Sequence, residues 1–286
     1  MDTTPANVVA PGAVVDGYLI EAVLGSGGVG TVYVARQVDS GHRVALKVLN
    51  AAVSGDPAYR RRFAEEVRAA RSLRHPNVVQ VYGHGETPGG VLWMAMQYVQ
   101  GTDADRELRA GRMPPQRVAH IIAEVAAALD YAHAHDLVHG DVKPPNFLLG
   151  LDGTVVLADF GLARGTEERA VCGDSGFVLT SAAYASPEIL RGRVVDARAD
   201  VYSLGCSLFR LLTGRPPFFD AASKAEVVDS QLHRAVPPAT RYAPWLPGRI
   251  DDVVATATAK EPAARYPSAG QLARAAIAAL DHERRC

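Results

Sequence analysis

The stretch HGDVKPPN runs from His139 to Asn146, and DFG follows from Asp159 to Gly161. Together the two stretches supply a carboxylate that can act as a base, a lysine that can neutralise a phosphate, and an amide and a second carboxylate that can bind metal ions. In that order, the four side chains are Asp141, Lys143, Asn146 and Asp159. These groups at this spacing predict an enzyme that transfers a phosphoryl group.

The use of lysine in the chain supports the same chemistry. The chain has 30 basic residues, of which only four are lysines, so arginine is its usual cation. Two of the four, Lys47 and Lys143, fall where a compact charge on a flexible stem would meet phosphate. The planar fork of arginine is no substitute for lysine at such positions.

A glycine-rich segment, GSGGVGTVY from Gly25 to Tyr33, lies between the apolar segments EAVL and TVYVA, which are typical of strands. Taken alone, such a run is more typical of an ordinary hairpin turn than of a ligand site. The strand that follows it favours a flap whose bare backbone closes over phosphates, with Val32 under an adenine ring. The next strand, VALK, would present Lys47 to the same phosphates.

A helix is predicted from Pro57 to Leu73, with Asp56 as its N-cap. Two acids in it are candidates for pairing with Lys47, and the distance from the HPN at residues 75–77 selects Glu66 over Glu65. The arginines at positions 60–62 oppose the helix dipole, so they predict either a solvated face or a docking site for an acidic or phosphorylated segment.

In this order of motifs the chain resembles the eukaryotic-like (Hanks-type) bacterial Ser/Thr protein kinases, roughly from residue 17 to 280. The motifs are GSGGVGTV, VALK, Glu66, MQYVQG, HGDVKPPN, DFG, SPE, DVYSLG and Arg265. The resemblance implies an α+β, two-lobed protein-kinase fold. Residues 17–99 would form a small β-rich N-lobe with one main helix, and residues 100–286 a larger, mainly helical C-lobe.

The resemblance implies that ATP binds in the cleft between the lobes. The implied nucleotide-binding residues are Leu24, Gly25, Gly27, Gly30, Val32, Ala45, Lys47, Met96, Gln97, Val99, Asp103 and Leu148. Met96 would be the gatekeeper, and the backbone of Gln97 and Val99 would meet the adenine edge. Asp103 would contact the ribose, on its spacing alone.

The resemblance also implies a catalytic set. Its members are Asp141, Lys143, Lys47, Glu66 and Ser181. Lys47, held by Glu66, would anchor the α- and β-phosphates. Asn146 and Asp159 would hold Mg²⁺, or Mn²⁺ in its place.

Three further roles follow from the resemblance. Ser181 would bridge Asp141 and Lys143 and link the base to the segment that binds the protein substrate; the alternative is an exposed autophosphorylation site. Glu188 and Arg265 would form a buried bridge beneath that segment. The aspartate of DVYSLG, at position 200, would hold the backbone of the catalytic loop.

One departure from the family pattern is Gly140, at the position before the catalytic aspartate where most of these kinases have arginine. That arginine grips a phosphorylated loop, so activity is predicted not to depend on such phosphorylation. HGD also occurs in aminoglycoside and choline phosphotransferases, which gives a first alternative, a small-molecule phosphotransferase. The second alternative is a pseudokinase scaffold, although the full set of catalytic side chains argues against it.

Composition sets limits on partners and location. The net charge of −1 argues against nucleic acid or an acidic membrane as a main partner. The expected partners are proteins with Ser or Thr acceptors, and a second copy of the chain for autophosphorylation. Residues 1–16 are expected to be a disordered leader, and no segment is apolar enough to span a membrane. Three scattered cysteines, at positions 172, 206 and 286, predict a reducing compartment, hence the cytoplasm or the cytoplasmic part of a membrane-anchored parent.

Overall fold

The computed structural model describes residues 9–111, 113–160 and 182–281. The chain divides into two compact units. The first comprises residues 1–74 and 79–99, and the second comprises residues 75–78 and 100–286. Each unit has a hydrophobic core of its own.

The first unit is built on a six-stranded antiparallel sheet. Its strands are β1 (Val14–Val15), β2 (Tyr18–Ser26), β3 (Gly30–Gln37), β4 (Arg43–Leu49), β5 (Val81–Glu86) and β6 (Leu92–Gln97). Their order across the sheet is β1-β2-β3-β4-β6-β5. Most residues of β3, β4 and β6 are buried, and many of them are valine, leucine, alanine or methionine, which suits central strands.

The start of the first unit differs from the expected disordered leader. Residues 9–16 are part of the fold, while residues 1–8 lie outside the described ranges. The Val9 N–H donates to the Tyr33 hydroxyl (2.9 Å), and Trp93 Nε1 donates to Asp16 Oδ2 (3.0 Å). Val15 is buried in the core of the sheet, so this segment gains enough contacts to be ordered.

Two helices complete the first unit, α1 (Ala51–Ser54) and α2 (Pro57–Ser72). The predicted α2 is confirmed to within one residue. The Asp56 side chain accepts hydrogen bonds from the N–H groups of Ala58 and Tyr59, and Pro57 occupies the first helical position. Both features satisfy or remove donors that the helix itself leaves unpaired.

The second unit has a three-stranded antiparallel sheet and most of the helices. The strands are β7 (Gly101–Asp103), β8 (Phe147–Gly150) and β9 (Val155–Leu157). Within the described residues the helices are α3 (Ala104–Ala110), α4 (Pro115–His133), α5 (Pro187–Leu190), α6 (Ala197–Thr213), α7 (Lys224–His233), α8 (Arg249–Ala257) and α9 (Ala269–Leu280). Residues 75–78 also belong to this unit, where Asn77 Nδ2 donates to Glu124 Oε2 (2.6 Å) and to the Val155 carbonyl (2.8 Å).

Helix α6 is the central helix of the second unit, as predicted. Residues 199–209 of it are all buried, and Gly214 ends it in the left-handed conformation (φ +77°) that glycine adopts without strain. Of the residues that the structure describes, none belongs to a helix long and apolar enough to cross a membrane.

Candidate active site residues

The backbone of the catalytic loop is held by a buried aspartate of α6. Asp200 Oδ2 accepts the N–H of His139 (2.8 Å), and Oδ1 accepts the N–H of Gly140 (2.8 Å). Asp200 is fully buried, so these bonds compensate its removal from water. The predicted role of Asp200 therefore agrees with the structure, and its third partner, His133 Nε2 at 2.7 Å, is a residue that sequence reasoning missed.

His139 connects this loop to the segment before DFG. Its Nε2 lies 2.9 Å from the Ala158 carbonyl oxygen, and its Nδ1 accepts the Asp141 N–H (3.1 Å). A carbonyl can only accept, so Nε2 carries the proton and the ring is the neutral tautomer. The ring also packs edge-on against Phe160, with centroids 4.6 Å apart. The histidine thus fixes the direction in which the backbone leads into Asp141.

Three of the predicted catalytic and metal-binding side chains lie together in this loop. Lys143 Nζ is 2.7 Å from Asp141 Oδ2, and the lysine is buried. Asn146 Nδ2 donates to the Asp141 carbonyl (2.8 Å) and lies 3.4 Å from Asp141 Oδ2. The carboxylate of Asp141 is therefore oriented by a cation and an amide, as a base for a hydroxyl proton needs to be.

Two backbone conformations in this region are unusual. Gly140 has φ +74° and Asp159 has φ +64°. Glycine adopts the left-handed region freely, whereas an aspartate held there stores strain, and such residues cluster at functional sites. The conformation at position 140 also explains why glycine suits this place in the loop.

The donor set near the loop fits a magnesium ion that also binds a substrate phosphate. Asn146 uses its amide nitrogen within the loop, and its amide oxygen is the kind of atom that hard cations prefer. The DFG carboxylate, Asp159, offers a second oxygen ligand. The described residues contain no group of three or more His, Cys, Asp or Glu that could hold a metal. Mg²⁺ usually takes one or two carboxylates and leaves its other coordination positions to phosphate and water.

In the first unit, several predicted nucleotide-binding residues face each other across neighbouring strands. Gly25 pairs with Val32, Val32 with Lys47, and Ala45 with Met96. Paired residues lie on the same face of a sheet, and so do residues two apart in a strand. The register therefore brings these five residues to one face of the sheet.

The glycine-rich segment is the turn between β2 and β3. The Gly27 N–H donates to the Gly30 carbonyl (2.9 Å), which closes the turn. A Cβ on Gly30 would lie 2.3 Å from the Val48 carbonyl oxygen, so glycine is required there by packing. Leu24 lies in β2 just before this turn. Glu66, the predicted partner of Lys47, is half-buried on α2, whereas Glu65 is exposed.

The remaining residues that were predicted to bind the nucleotide also have positions and contacts that the fold determines. The Gln97 N–H is bonded to the Gln80 carbonyl (2.8 Å), so its backbone donor is already used within the sheet. Val99 follows β6 at the end of the first unit. Asp103 caps α3 by accepting the Arg106 N–H (2.9 Å), and burial raises the pKa of its carboxyl. Leu148 lies directly opposite Asp103 in the β7–β8 register.

The predicted bridge between Glu188 and Arg265 is present and buried. Two guanidinium nitrogens of Arg265 lie 2.6 and 2.8 Å from the two carboxylate oxygens of Glu188. Burial alone would raise the pKa of the Glu188 carboxyl, but the hydrogen bonds and charge of Arg265 hold it below its usual value. The pair anchors α5, which follows the segment from Ala182.

Ser181, which was predicted to bridge Asp141 and Lys143, lies outside the residues that the structure describes.

The arginines at the start of α2 were predicted to form either a solvated face or a docking site. Arg60 is neither merely solvated nor free for docking, because it donates to the Ser54 carbonyl (2.9 Å) and the Gly90 carbonyl (3.2 Å) and pairs with Glu86. These contacts connect α1, α2 and the β5–β6 turn, and they join segments too distant in sequence for a local pattern to indicate.

Comparison with known proteins identifies the family. A model of the protein kinase domain matches residues 18–273. The chain belongs to the protein kinase family. Among the relatives of this kinase domain, the serine/threonine-protein kinase PknJ of Mycobacterium tuberculosis is 48% identical over 280 residues, which cover 96% of this chain and 47% of PknJ. PknF of the same organism is 42% identical over 93% of this chain and 57% of its own length.

The fold of this kinase domain is also found in solved structures. The crystal structure of the PknI kinase domain of Mycobacterium tuberculosis matches with a TM-score of 0.77 and 34% identity, covering 95% of this chain and 99% of that one. The predicted membership of the bacterial Ser/Thr kinases and the predicted α+β kinase fold are therefore confirmed. Neither alternative, the small-molecule phosphotransferase nor the pseudokinase, is favoured by these relatives. The chain spans about half the length of the curated relatives it matches.

Proposed function

We propose that this kinase domain transfers the γ-phosphate of ATP to Ser and Thr hydroxyls of protein substrates, with Mg²⁺ or Mn²⁺. The observation that carries the proposal is the loop in which Lys143 and Asn146 both contact Asp141, while Asp200 holds the loop backbone. A carboxylate alone is common on protein surfaces. A carboxylate oriented by an amide and a buried lysine is an arrangement suited to phosphoryl transfer.

In the proposed reaction Asp141 orients the acceptor hydroxyl and takes its proton. Lys143, 2.7 Å from that carboxylate, neutralises charge on the transferring group. Lys47, supported by Glu66, anchors the α- and β-phosphates. These assignments are supported by the charge and hydrogen-bonding capacity of each side chain.

Asn146 and Asp159 would hold the metal ion, which when bound neutralises the phosphate oxygens. The backbone glycines at positions 25, 27 and 30 would cover the phosphates. The adenine would contact Val32, Ala45 and Met96, which is supported by their sharing a sheet face with Lys47.

The protein substrate would bind the segment that follows Ser181, with Ser181 linking that segment to the base. Autophosphorylation would make a second copy of the chain one of the substrates. The cytoplasm stays the predicted location, since ATP is available there. These statements rest on the family to which the chain belongs.

The proposal is tested by incubating the purified chain with Mg²⁺-ATP and a generic basic protein, and by mapping phosphates by mass spectrometry. Phosphate is expected on Ser and Thr. Lys47→Met should abolish most of the transfer, and Lys224→Met, at an exposed position of α7, serves as the matched control with unchanged activity. Faster phosphorylation of an aminoglycoside or choline than of any protein, or equal activity of the two variants, would contradict the proposal.

A further inference from the structure

A chain of four hydrogen-bonding groups runs through the second unit to the backbone beside Ser181. Lys260 Nζ donates to the Tyr202 hydroxyl (2.9 Å), that hydroxyl donates to Gln231 Oε1 (2.5 Å), and Gln231 Nε2 donates to the Ala183 carbonyl (2.5 Å). Lys260 also donates to the backbone carbonyl of Gln231 (2.8 Å). Tyr202 and Gln231 are fully buried, so the two bonds that the Gln231 side chain makes lie away from water.

Lys260 sets the direction, from donor to acceptor, in which this series of hydrogen bonds runs. An ammonium can only donate, so the Tyr202 oxygen accepts from Lys260 and its own proton must go onward. The proton goes to Gln231 Oε1, which leaves the amide nitrogen to point at the Ala183 carbonyl. Successive bonds that run in one direction polarise and strengthen one another. Lys260 thus favours, through Tyr202, the same orientation of the Gln231 amide that the Ala183 carbonyl requires.

Lys260 donates its hydrogen bonds to neutral groups and has no acidic partner in the described part of the chain. Its Nζ lies over the rings of Tyr202 (5.2 Å) and Phe218 (5.3 Å). Burial, together with the charges of Arg265 and Arg191, lowers its pKa to about 8. Near neutral pH the side chain is therefore mainly an ammonium, and its hydrogen bonds are directed to the tyrosine and to α7.

The side chains of the segment that receives the last bond make apolar contacts. Ala182, Ala183 and Tyr184 pack against Tyr202 and Cys206 of α6 and against α7. Small alanine side chains give contacts with little directional preference, because burial of apolar area is non-directional. A hydrogen bond to the Ala183 carbonyl fixes how the peptide plane is turned, which apolar packing leaves open.

We propose that Gln231 is a positioning residue for the protein substrate, and that Tyr202 and Lys260 set the orientation in which it acts. The inference rests on the proposed function, in which the segment after Ser181 receives the substrate. Gln231 does not touch ATP or the reacting atoms in this account. It acts by presenting the Ala183 backbone in one orientation.

The test compares steady-state kinetics of the full chain with Gln231→Met, which keeps the volume and removes the side-chain bonds to Tyr202 and to the Ala183 carbonyl. The KM for a protein substrate should rise about fivefold or more, the loss expected for one buried hydrogen bond. The KM for ATP should change by less than about twofold, which is less than the change expected from the loss of one hydrogen bond. Gln271→Met, at an exposed position of α9, is the matched control. Thermal melting of each variant checks that it is folded.

A double-mutant cycle separates a connected chain from simple packing. Tyr202→Phe keeps the ring against Arg265 and removes the hydroxyl. If the groups act as one chain, Tyr202→Phe should raise the protein KM on its own and add little to Gln231→Met. Additive effects, an unchanged protein KM in folded Gln231→Met, or an equal rise in both KM values would overturn the inference. A parent chain without protein kinase activity would instead refute the proposed function.

Discussion

Replacing Arg265 with alanine is expected to destabilise the chain strongly. All five N–H donors of the guanidinium are used: two bind Glu188, and three bind the backbone carbonyls of Ala259, Arg198 and Lys260. The Arg265 side chain is fully buried, and that of Glu188 is 10% exposed. Removing the arginine therefore leaves a buried carboxylate and three carbonyls without these donors.

The expected loss follows from what breaking such a pair costs. Removing one partner of a buried ion pair lowers the free energy of unfolding by about 3 to 5 kcal/mol, out of roughly 5 to 15 kcal/mol for a typical domain. For a chain of this size the melting temperature should fall by roughly 6 to 20 °C. Thermal unfolding followed by circular dichroism measures this directly.

The matched control is Arg117→Ala in the same unit. Arg117 also binds a carboxylate with two nitrogens, at 3.1 and 3.2 Å from Glu107, but both side chains are about one-third exposed. An exposed pair contributes about 0 to 1 kcal/mol, so this variant should melt close to the parent. If Arg265→Ala melts no lower than Arg117→Ala, the inferred contribution of the buried pair to the free energy of unfolding is refuted.

The destabilisation should also depend on pH. In the parent, Arg265 overcomes the effect of burial and holds the pKa of Glu188 below its usual 4.5, so the carboxylate stabilises the fold above that pH and loses this effect as the pH falls through its lowered pKa. In the variant burial acts alone and raises the pKa, so ionised Glu188 opposes folding at neutral pH. The difference between parent and variant should therefore be largest near pH 7 and shrink below about pH 4.5.

Three further outcomes are expected. Burial raises the pKa of the Cys206 thiol to about 12, so iodoacetamide at pH 8 should leave Cys206 unlabelled in the folded chain, as peptide mass spectrometry would show. The pKa of Lys260 is lowered to about 8 in the folded chain, so between pH 8 and 10 the unfolded state binds more protons than the folded state. The free energy of unfolding of the parent, relative to that of Lys260→Met, should therefore rise from pH 8 to 10, as urea unfolding would measure. Because Gly140 offers no cation to a phosphate, phosphatase treatment should leave kinase activity within about tenfold of the untreated enzyme; recovery of a larger loss on rephosphorylation would contradict this.

The sequence predicted those parts of the fold whose causes are local. Asp56 before Pro57 marks the start of α2, and Gly214 marks the end of α6, because capping depends on residues within one turn. The spacing within residues 139–146 predicted which side chains would meet in the catalytic loop. The bridge from Glu188 to Arg265 came from the family pattern, since nothing local indicates a contact across that distance.

The parts that could not be predicted are contacts between distant polar residues. His133 binds Asp200, and Gln231 binds the Ala183 carbonyl, across 67 and 48 residues of sequence respectively. The sequence of its own helix does not distinguish His133 or Gln231 from an ordinary polar residue. Which partner it finds depends on how the helices pack, and that is set by the whole core.

The central claim, that Asp141 is the base of a protein kinase, is tested most directly by Asp141→Asn. The purified variant should fold like the parent, because asparagine fills the same space and its amide oxygen can still accept a hydrogen bond from Lys143. Its rate of phosphate transfer to a protein should fall about 10²- to 10⁴-fold, as expected when a general base is removed. Asp39→Asn, at an exposed turn, should keep the full rate. Near-normal transfer by folded Asp141→Asn, measured with labelled Mg²⁺-ATP, would contradict the account.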